Sequence, residues 1–326
     1  MLATRITRLF GIRHPVVQSG MRWLARAELV AAVSEGGGLG LLSAHTFDDG
    51  AALRAEIART RTLTARPFGV NLTLLTGAKF DYPGYLRAII ESEVPVVETS
   101  GSNPSEVIAQ LKAAGVRVIH KCTAVKHAAK AVAAGADAIA MDGFECAGHT
   151  GMDNISSMVL LRSAARALDV PLLACGGFAD GASLAAALAL GADGVAMGTR
   201  FMLTRESPLH PAIKQKMLAA SERDSVQVGG SVGDPVRVLK NATAESILAL
   251  ERTGTADRRA LHDMVDARRW MRAFEAGTVD DGALPMGMCA GLIDDLPGCG
   301  ELLDRMVRDA RHTITQRLAG FAEATA

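Results

Sequence analysis

Eight short apolar, β-branched runs recur along the first two-thirds of this 326-residue chain, and between them lie amphipathic, alanine-rich segments that usually stop at a glycine. The runs are Val16–Gly20, Leu39–Ala44, Phe68–Leu75, Val96–Gly101, Val116–Ala124, Ala138–Glu145, Leu172–Phe178 and Gly194–Phe201. Glycine just past a helix is the residue that enters the left-handed conformation at little cost. Strands alternating with helices predict a parallel sheet covered by those helices. Eight is the number of strands that closes into a barrel whose interior side chains fill it. The competing architecture is an open doubly wound sheet. That fold would place a G-x-G-x-x-G after its first strand, whereas this run ends in Gln18-Ser19-Gly20-Met21. The expected fold is therefore a (β/α)8 TIM barrel.

The rhythm stops near residue 215. Residues 216–284 are more polar, contain Gly229-Gly230, Gly233 and Pro235, and then read as mainly helical. They are expected to form a smaller cap over one barrel mouth or a dimerisation arm. Residues 1–215 and 285–326 are assigned to the barrel, the latter because Leu302, Met306 and Ala310 resume a helical repeat. Lys+Arg and Asp+Glu are balanced at 35 each, and aromatic residues make up 4%. Neither a basic surface nor a stacking platform for nucleic acid is expected. The five cysteines form no C-x-x-C pair, and no run of about 18 apolar residues occurs. The N-terminal stretch also lacks the apolar segment of a secretory leader. A reduced, soluble, cytoplasmic protein is expected.

In parallel barrels ligands bind where the strands end. The two most informative ends are Leu172–Phe178, with Gly176-Gly177, and Gly194–Phe201, with Gly198-Thr199. Glycines between a strand and a helix let backbone N–H groups approach an anion, although they also make tight turns. A phosphate site after strands seven and eight recurs in this fold. The ligand there is a phosphorylated substrate or flavin mononucleotide (FMN). Gln18, Asn71 and Lys121 favour the flavin: amides match the edge of its pyrimidine ring, and a lysine stabilises the charge that develops on reduction. His149 lies in the glycine-flanked loop DGFECAGHTG, where an imidazole can act as a base near neutrality or simply be solvated. Cys146 and His149 form an isolated C-x-x-H, so no metal site is expected.

Taken together, HPVVQSGM, RPFGVNLTLL, VIHKCTAVKHA, DGFECAGHTG, LLACGGFADG and ALGADGVAMGTRF resemble the nitronate monooxygenase family, formerly the 2-nitropropane dioxygenases. The resemblance runs from about Arg13 to Phe201 and resumes at GMCAGLIDDLP. It implies an FMN-containing TIM barrel with a helical cap, and oxidation of alkyl nitronates by O2 to a carbonyl compound and nitrite. Carried over by matching blocks, Gln18, Asn71 and Lys121 would face the flavin ring. Gly176, Gly177, Gly198 and Thr199 would hold its phosphate. His149 would be catalytic, and Gly20 and Met21 would lie at the same pocket. The form ECAGH is similar to a bacterial branch that includes NAD(P)H:quinone reductases, which makes a quinone and NAD(P)H the alternative partners. Two features depart from that branch. The loop Thr76 to Tyr82 lacks prolines, and Ala290 stands where glutamine is common. Enoyl reduction on a similar barrel, a non-catalytic flavin-binding barrel and a homodimer complete the expectations.

Overall fold

The computed structural model describes residues 2–75, 80–254, 257, 261 and 264–323. Eight parallel strands close into a barrel: β1 (Val16–Gln18), β2 (Leu39–Ser43), β3 (Phe68–Leu74), β4 (Val96–Gly101), β5 (Arg117–Cys122), β6 (Ala138–Asp142), β8 (Leu172–Cys175) and β9 (Gly194–Met197). The ring closes where Val17 of β1 pairs with Ala196 of β9. β7 (Gly148–His149) stands outside the barrel.

Every expected strand forms, but most stop short of the apolar run that announced them. β1 ends at Gln18 rather than Gly20, β6 at Asp142 rather than Glu145, β8 at Cys175 rather than Phe178, and β9 at Met197 rather than Phe201. The residues left over turn away at glycines and build the mouth. After β9, for example, Thr199–Met202 coil into a short helix.

Two layers of core hold the barrel. Inside, Val17, Leu39, Leu41, Val96, Ile119, Leu173 and Ala196 pack together, and Ile6 and Phe10 of helix α1 (Arg5–Phe10) plug the lower end. Outside, the flanking helices bury their apolar faces, including Leu29, Val30 and Val33 of α2 (Ala27–Glu35). Side chains from alternate positions thus serve both layers, as expected for a sheet buried on both faces. With Ile6 and Phe10 packed into that end of the inner core, the barrel opens towards the strand C-termini.

In the segment assigned to the cap, the polar, glycine-containing stretch that precedes the helices forms strands. β10 (Ser225–Val228) and β11 (Val236–Leu239) form an antiparallel hairpin, and β11 also pairs with β7 to make a three-stranded sheet. Val226, Val228, Val236 and Val238 supply the β-branched positions, and the glycines between them make the turn. Helices Ala242–Arg252 and Ala267–Ala276 follow. This segment has its own small core of Val228, Val238, Ala244, Ile247, Leu261 and Ala283. Among the described residues no helix is long and apolar enough to cross a membrane.

Candidate active site

The barrel mouth holds a cavity of about 400 Å³, within the size range of cofactor and substrate sites. Its floor is built from strand ends. Asn71 of β3 sits beside Glu98 of β4 in the ladder, and the Asn71 amide Nδ2 donates to Glu98 Oε2 at 2.8 Å. Glu98 is fully buried, and its Oε1 lies 3.2 Å from the Nζ of Lys121 on β5. Lys121 also donates to Ser19 Oγ at 3.0 Å. Burial alone would depress the Lys121 ammonium, but Glu98 and Asp142 outweigh it and hold the amine protonated well above the ordinary lysine range. Burial pushes the Asp142 carboxyl up to about 6, with Lys121 opposing. The floor is therefore a fixed cation flanked by two buried acids.

The opposite wall is backbone. Gly176 and Gly177 both have positive φ, +80° and +88°. The Ser157 hydroxyl braces them at 2.9 Å from Cys175 O and 2.7 Å from Gly176 O, while it and its own N–H bond the Glu145 carboxylate. A Cβ at Gly176 would press on Cys146 N at 2.9 Å. At Gly177 and Gly198, by contrast, a Cβ would meet only side chains, at 3.7 Å, and would project into the cavity. This pair leaves a cradle of the kind a phosphate group fills, with a lysine and an amide across the floor from it. The donor set fits FMN: backbone and Thr199 for the phosphate, and Asn71 and Lys121 for the ring edge.

Of the residues singled out from sequence, Gly20, Met21, Asn71, Lys121, His149, Gly176, Gly177, Gly198 and Thr199 all line this one cavity. Gln18 does not. It is fully buried in the barrel wall, where its amide donates to the Ser19 and Leu41 carbonyls and accepts from Leu41 N. Its side chain ties β1 to β2. Gly20 has a packing reason for being glycine, since a Cβ there would overlap the Asn71 side chain. Of the loop Thr76 to Tyr82, residues 76–79 lie outside the described residues. Ala290 is buried behind the lining residue Cys289.

His149 is held at the rim by its backbone. It pairs with Val236 across the β7–β11 ladder, and its Nε2 lies 3.4 Å from Asp234 Oδ1. Its side chain is 70% exposed, so it reaches the cavity from the solvent side. Arg237, one residue further along β11, donates to Phe144 O at 2.8 Å and stacks over the Phe144 ring at 5.3 Å. The cap hairpin thereby fixes the loop that carries Glu145, Cys146 and His149. Val236, Val265, Trp270, Phe274 and Ala283 form an apolar roof.

Sequence reasoning missed Glu98, although an acid in the middle of the apolar run VVETSG was a signal. It also missed His45, which lines the cavity and stacks on Phe80 with ring centroids 3.9 Å apart. Burial, and secondarily Arg22, depresses the His45 imidazole to about 4, and burial depresses that of His120 to about 4 as well. Both folded values lie below the ordinary 6.5, so the unfolded chain binds these protons first and stability falls as pH drops from about 6.5 to 4. Asp142, raised to about 6, works the other way over its own window, from about 6 down to the ordinary 3.8. Each group is worth about 3 kcal/mol, which leaves a net loss of roughly 3 kcal/mol. Urea unfolding midpoints at pH 7 and pH 4.5 are expected to show that loss, and His45→Gln should flatten it. Equal midpoints would refute the assignment.

The chain matches the family model described as nitronate monooxygenase over residues 3–99 and 84–309. It is 38% identical to the (3aS,4S,5R,7aS)-5-hydroxy-7a-methyl-1-oxo-octahydro-1H-indene-4-carboxyl-CoA dehydrogenase of Rhodococcus jostii, across 95% of this chain and 96% of that one. It is 30% identical to a nitronate monooxygenase of Paraburkholderia phytofirmans, across 94% and 95% respectively. Among solved structures, FabK from Thermotoga maritima superposes with a TM-score of 0.92 at 35% identity, covering 98% of this chain and all of that one. With the glycine cradle, the lysine floor and the closed barrel in place, the chain belongs to the nitronate monooxygenase family, a family of flavin-dependent oxidoreductases.

Proposed function

We propose that this protein is an FMN-dependent oxidoreductase that dehydrogenates an alicyclic carbon skeleton carried as a coenzyme A thioester. The observation that carries this reading is the apolar roof of Val236, Val265, Trp270 and Phe274 facing the charged floor. Such a roof covers a hydrocarbon skeleton, whereas a small nitroalkane has no surface to fill it. The Rhodococcus jostii relative supports the same class: its name describes a ring that bears a carboxyl-CoA thioester and a hydroxyl on adjacent carbons, and it is more similar than the nitronate monooxygenase of Paraburkholderia phytofirmans.

Bound in the cradle, FMN would supply a two-electron acceptor that oxygen or another oxidant regenerates. The chain's own residues handle the rest. Lys121 holds a fixed positive charge under the site, and the roof excludes water from the reacting carbon. His149 takes the proton released with each hydride equivalent, and Asp234 beside it steadies the imidazolium that results.

A second reading is nitronate oxidation, favoured by the family match and by His149 standing at the rim, within reach of a neutral nitroalkane. Anaerobic mixing of the FMN-loaded protein with 2-hydroxycyclohexanecarboxyl-CoA is expected to bleach the flavin band. Persistent colour with that thioester, together with nitrite release from propyl-2-nitronate in air, would replace the first reading with the second. Bleaching by NADH alone would instead support an NAD(P)H:quinone reductase. His149→Ala is expected to keep FMN and to lower turnover at least tenfold. Unchanged turnover would remove His149 from the mechanism.

A further inference from the structure

We propose that Arg22 anchors an oxyanion carried by the substrate, in an arm of the cavity bounded by Ser43, His45, Thr73 and Leu75. This rests on reading the cavity as the substrate site above, and it names what that substrate must carry. The arm lies beside the ends of β1, β2 and β3, whereas the glycine cradle belongs to β8 and β9. The cavity thus carries a glycine cradle suited to a cofactor phosphate and, around Arg22, a different set of lining residues for a second anion.

Arg22 follows β1 and lines the cavity half-buried. Its Nε donates to the His45 carbonyl at 3.0 Å, and its guanidinium carbon sits 5.6 Å from the centroid of the Phe80 ring. These two contacts fix the plane of the guanidinium. Among the described residues, no carboxylate lies within 4 Å of it and no hydrogen bond engages its two terminal nitrogens. The acid whose field reaches it is Asp266 on the cap, and that carboxylate already accepts from the Arg268 backbone N–H at 2.7 Å and lies 3.4 Å from the Arg268 Nε. Arg268 adds a second positive charge on the same side. Other arginines of the chain with comparable burial are matched: Arg200 bonds Asp295 at 3.0 Å, and Arg237 bonds two carbonyls.

A guanidinium remains charged at every physiological pH, and its planar fork is shaped for two oxygens of a carboxylate or phosphate. A partly desolvated guanidinium with both terminal nitrogens unmatched is stabilised when such a group arrives. His45 beside it stays neutral near pH 7, so the incoming anion meets one permanent cation and one neutral ring. A coenzyme A phosphate or a second carboxylate on the acyl group would satisfy the fork equally well.

Calorimetric titration of the full-length, FMN-loaded protein separates these sources and does not depend on turnover. The first arm compares 2-hydroxycyclohexanecarboxyl-CoA with the same acyl group on pantetheine, which lacks the phosphates. The second compares glutaryl-pantetheine with its uncharged glutaramide analogue. In one arm the charged ligand is expected to bind at least tenfold more tightly than its neutral partner. Arg22→Met should erase that preference while leaving the flavin spectrum unchanged, and Arg22→Lys should restore part of it. A preference in the first arm identifies the phosphates, and one in the second identifies a carboxylate. No preference in either arm, or a preference that survives in Arg22→Met, overturns the proposal. Selective binding without any bleaching of the flavin would instead leave Arg22 in place and refute only the proposed reaction.

Discussion

Gly177→Val is expected to yield a folded, colourless protein. At this position φ is +88°, and a Cβ would project into the cavity with only Glu145 side-chain atoms near it, at 3.7 and 3.9 Å. Two penalties combine. A β-branched residue in the left-handed region costs about 1–3 kcal/mol of backbone strain. Its branches then occupy the space where a phosphate would meet the backbone, which removes the contacts that anchor the cofactor. FMN affinity is expected to fall at least a hundredfold, read by fluorescence as free flavin is titrated in. Gly115→Val supplies the control. That glycine has φ +76° and open space around it, far from the mouth between Ala113 and Arg117. It should lose comparable stability and keep its FMN. A yellow, stoichiometrically loaded Gly177→Val protein would remove the phosphate cradle from this site.

Much of this arrangement was legible before any coordinates. The eight-fold alternation fixes the barrel because each run is long enough to be a buried strand and each intervening segment has one apolar face. The glycines at 176, 177 and 198, read from sequence as a phosphate site, line the cavity, where they bring backbone to a place a side chain would otherwise occupy. The failures are equally physical. Gln18 looked like a ring-facing amide because it stands near a strand end, but a polar side chain in a barrel wall is as easily spent on the neighbouring strand's backbone. The hairpin of Val226 to Val238 was hidden by the polar residues and glycines around four short β-branched positions. Arg22 and His45 carry no pattern at all. Their meaning comes from β1 and β2 being neighbours in the ring, with Met21 to His45 folded back so that one donates to the other. Glu98 broke a local rule openly, as an acid in the middle of a strand destined to be buried on both faces. Such violations are where function or strain is expected to sit.

That violation makes the Lys121–Glu98 pair the most consequential contact in the barrel. Lys121→Met is expected to destabilise the fold by about 3–5 kcal/mol, because it strands a fully buried carboxylate without its cation. For a chain of this length that corresponds to a Tm lowered by roughly 6 °C. Loss of the lysine also removes the charge that opposes burial at Asp142, so this carboxyl rises further above about 6 and takes up a proton near neutral pH. The double variant Lys121→Met with Glu98→Gln tests the cause. Glutamine keeps an acceptor for the Asn71 amide, 2.8 Å away in the parent, and leaves no charge to strand. More than half of the lost stability should return, whereas a purely steric defect at residue 121 would persist. The flavin reports the second consequence: were Lys121 to face the ring as proposed, its loss would make the bound cofactor harder to reduce, and the midpoint potential is expected to move negative in both variants. Recovery of Tm in the double variant without recovery of the potential would show that one lysine serves two separable ends, compensating a buried acid and tuning the cofactor. If the potential stayed at the parent value in both, Lys121 would be a structural counter-ion only, and the electrostatics of the flavin would have to come from elsewhere in the mouth.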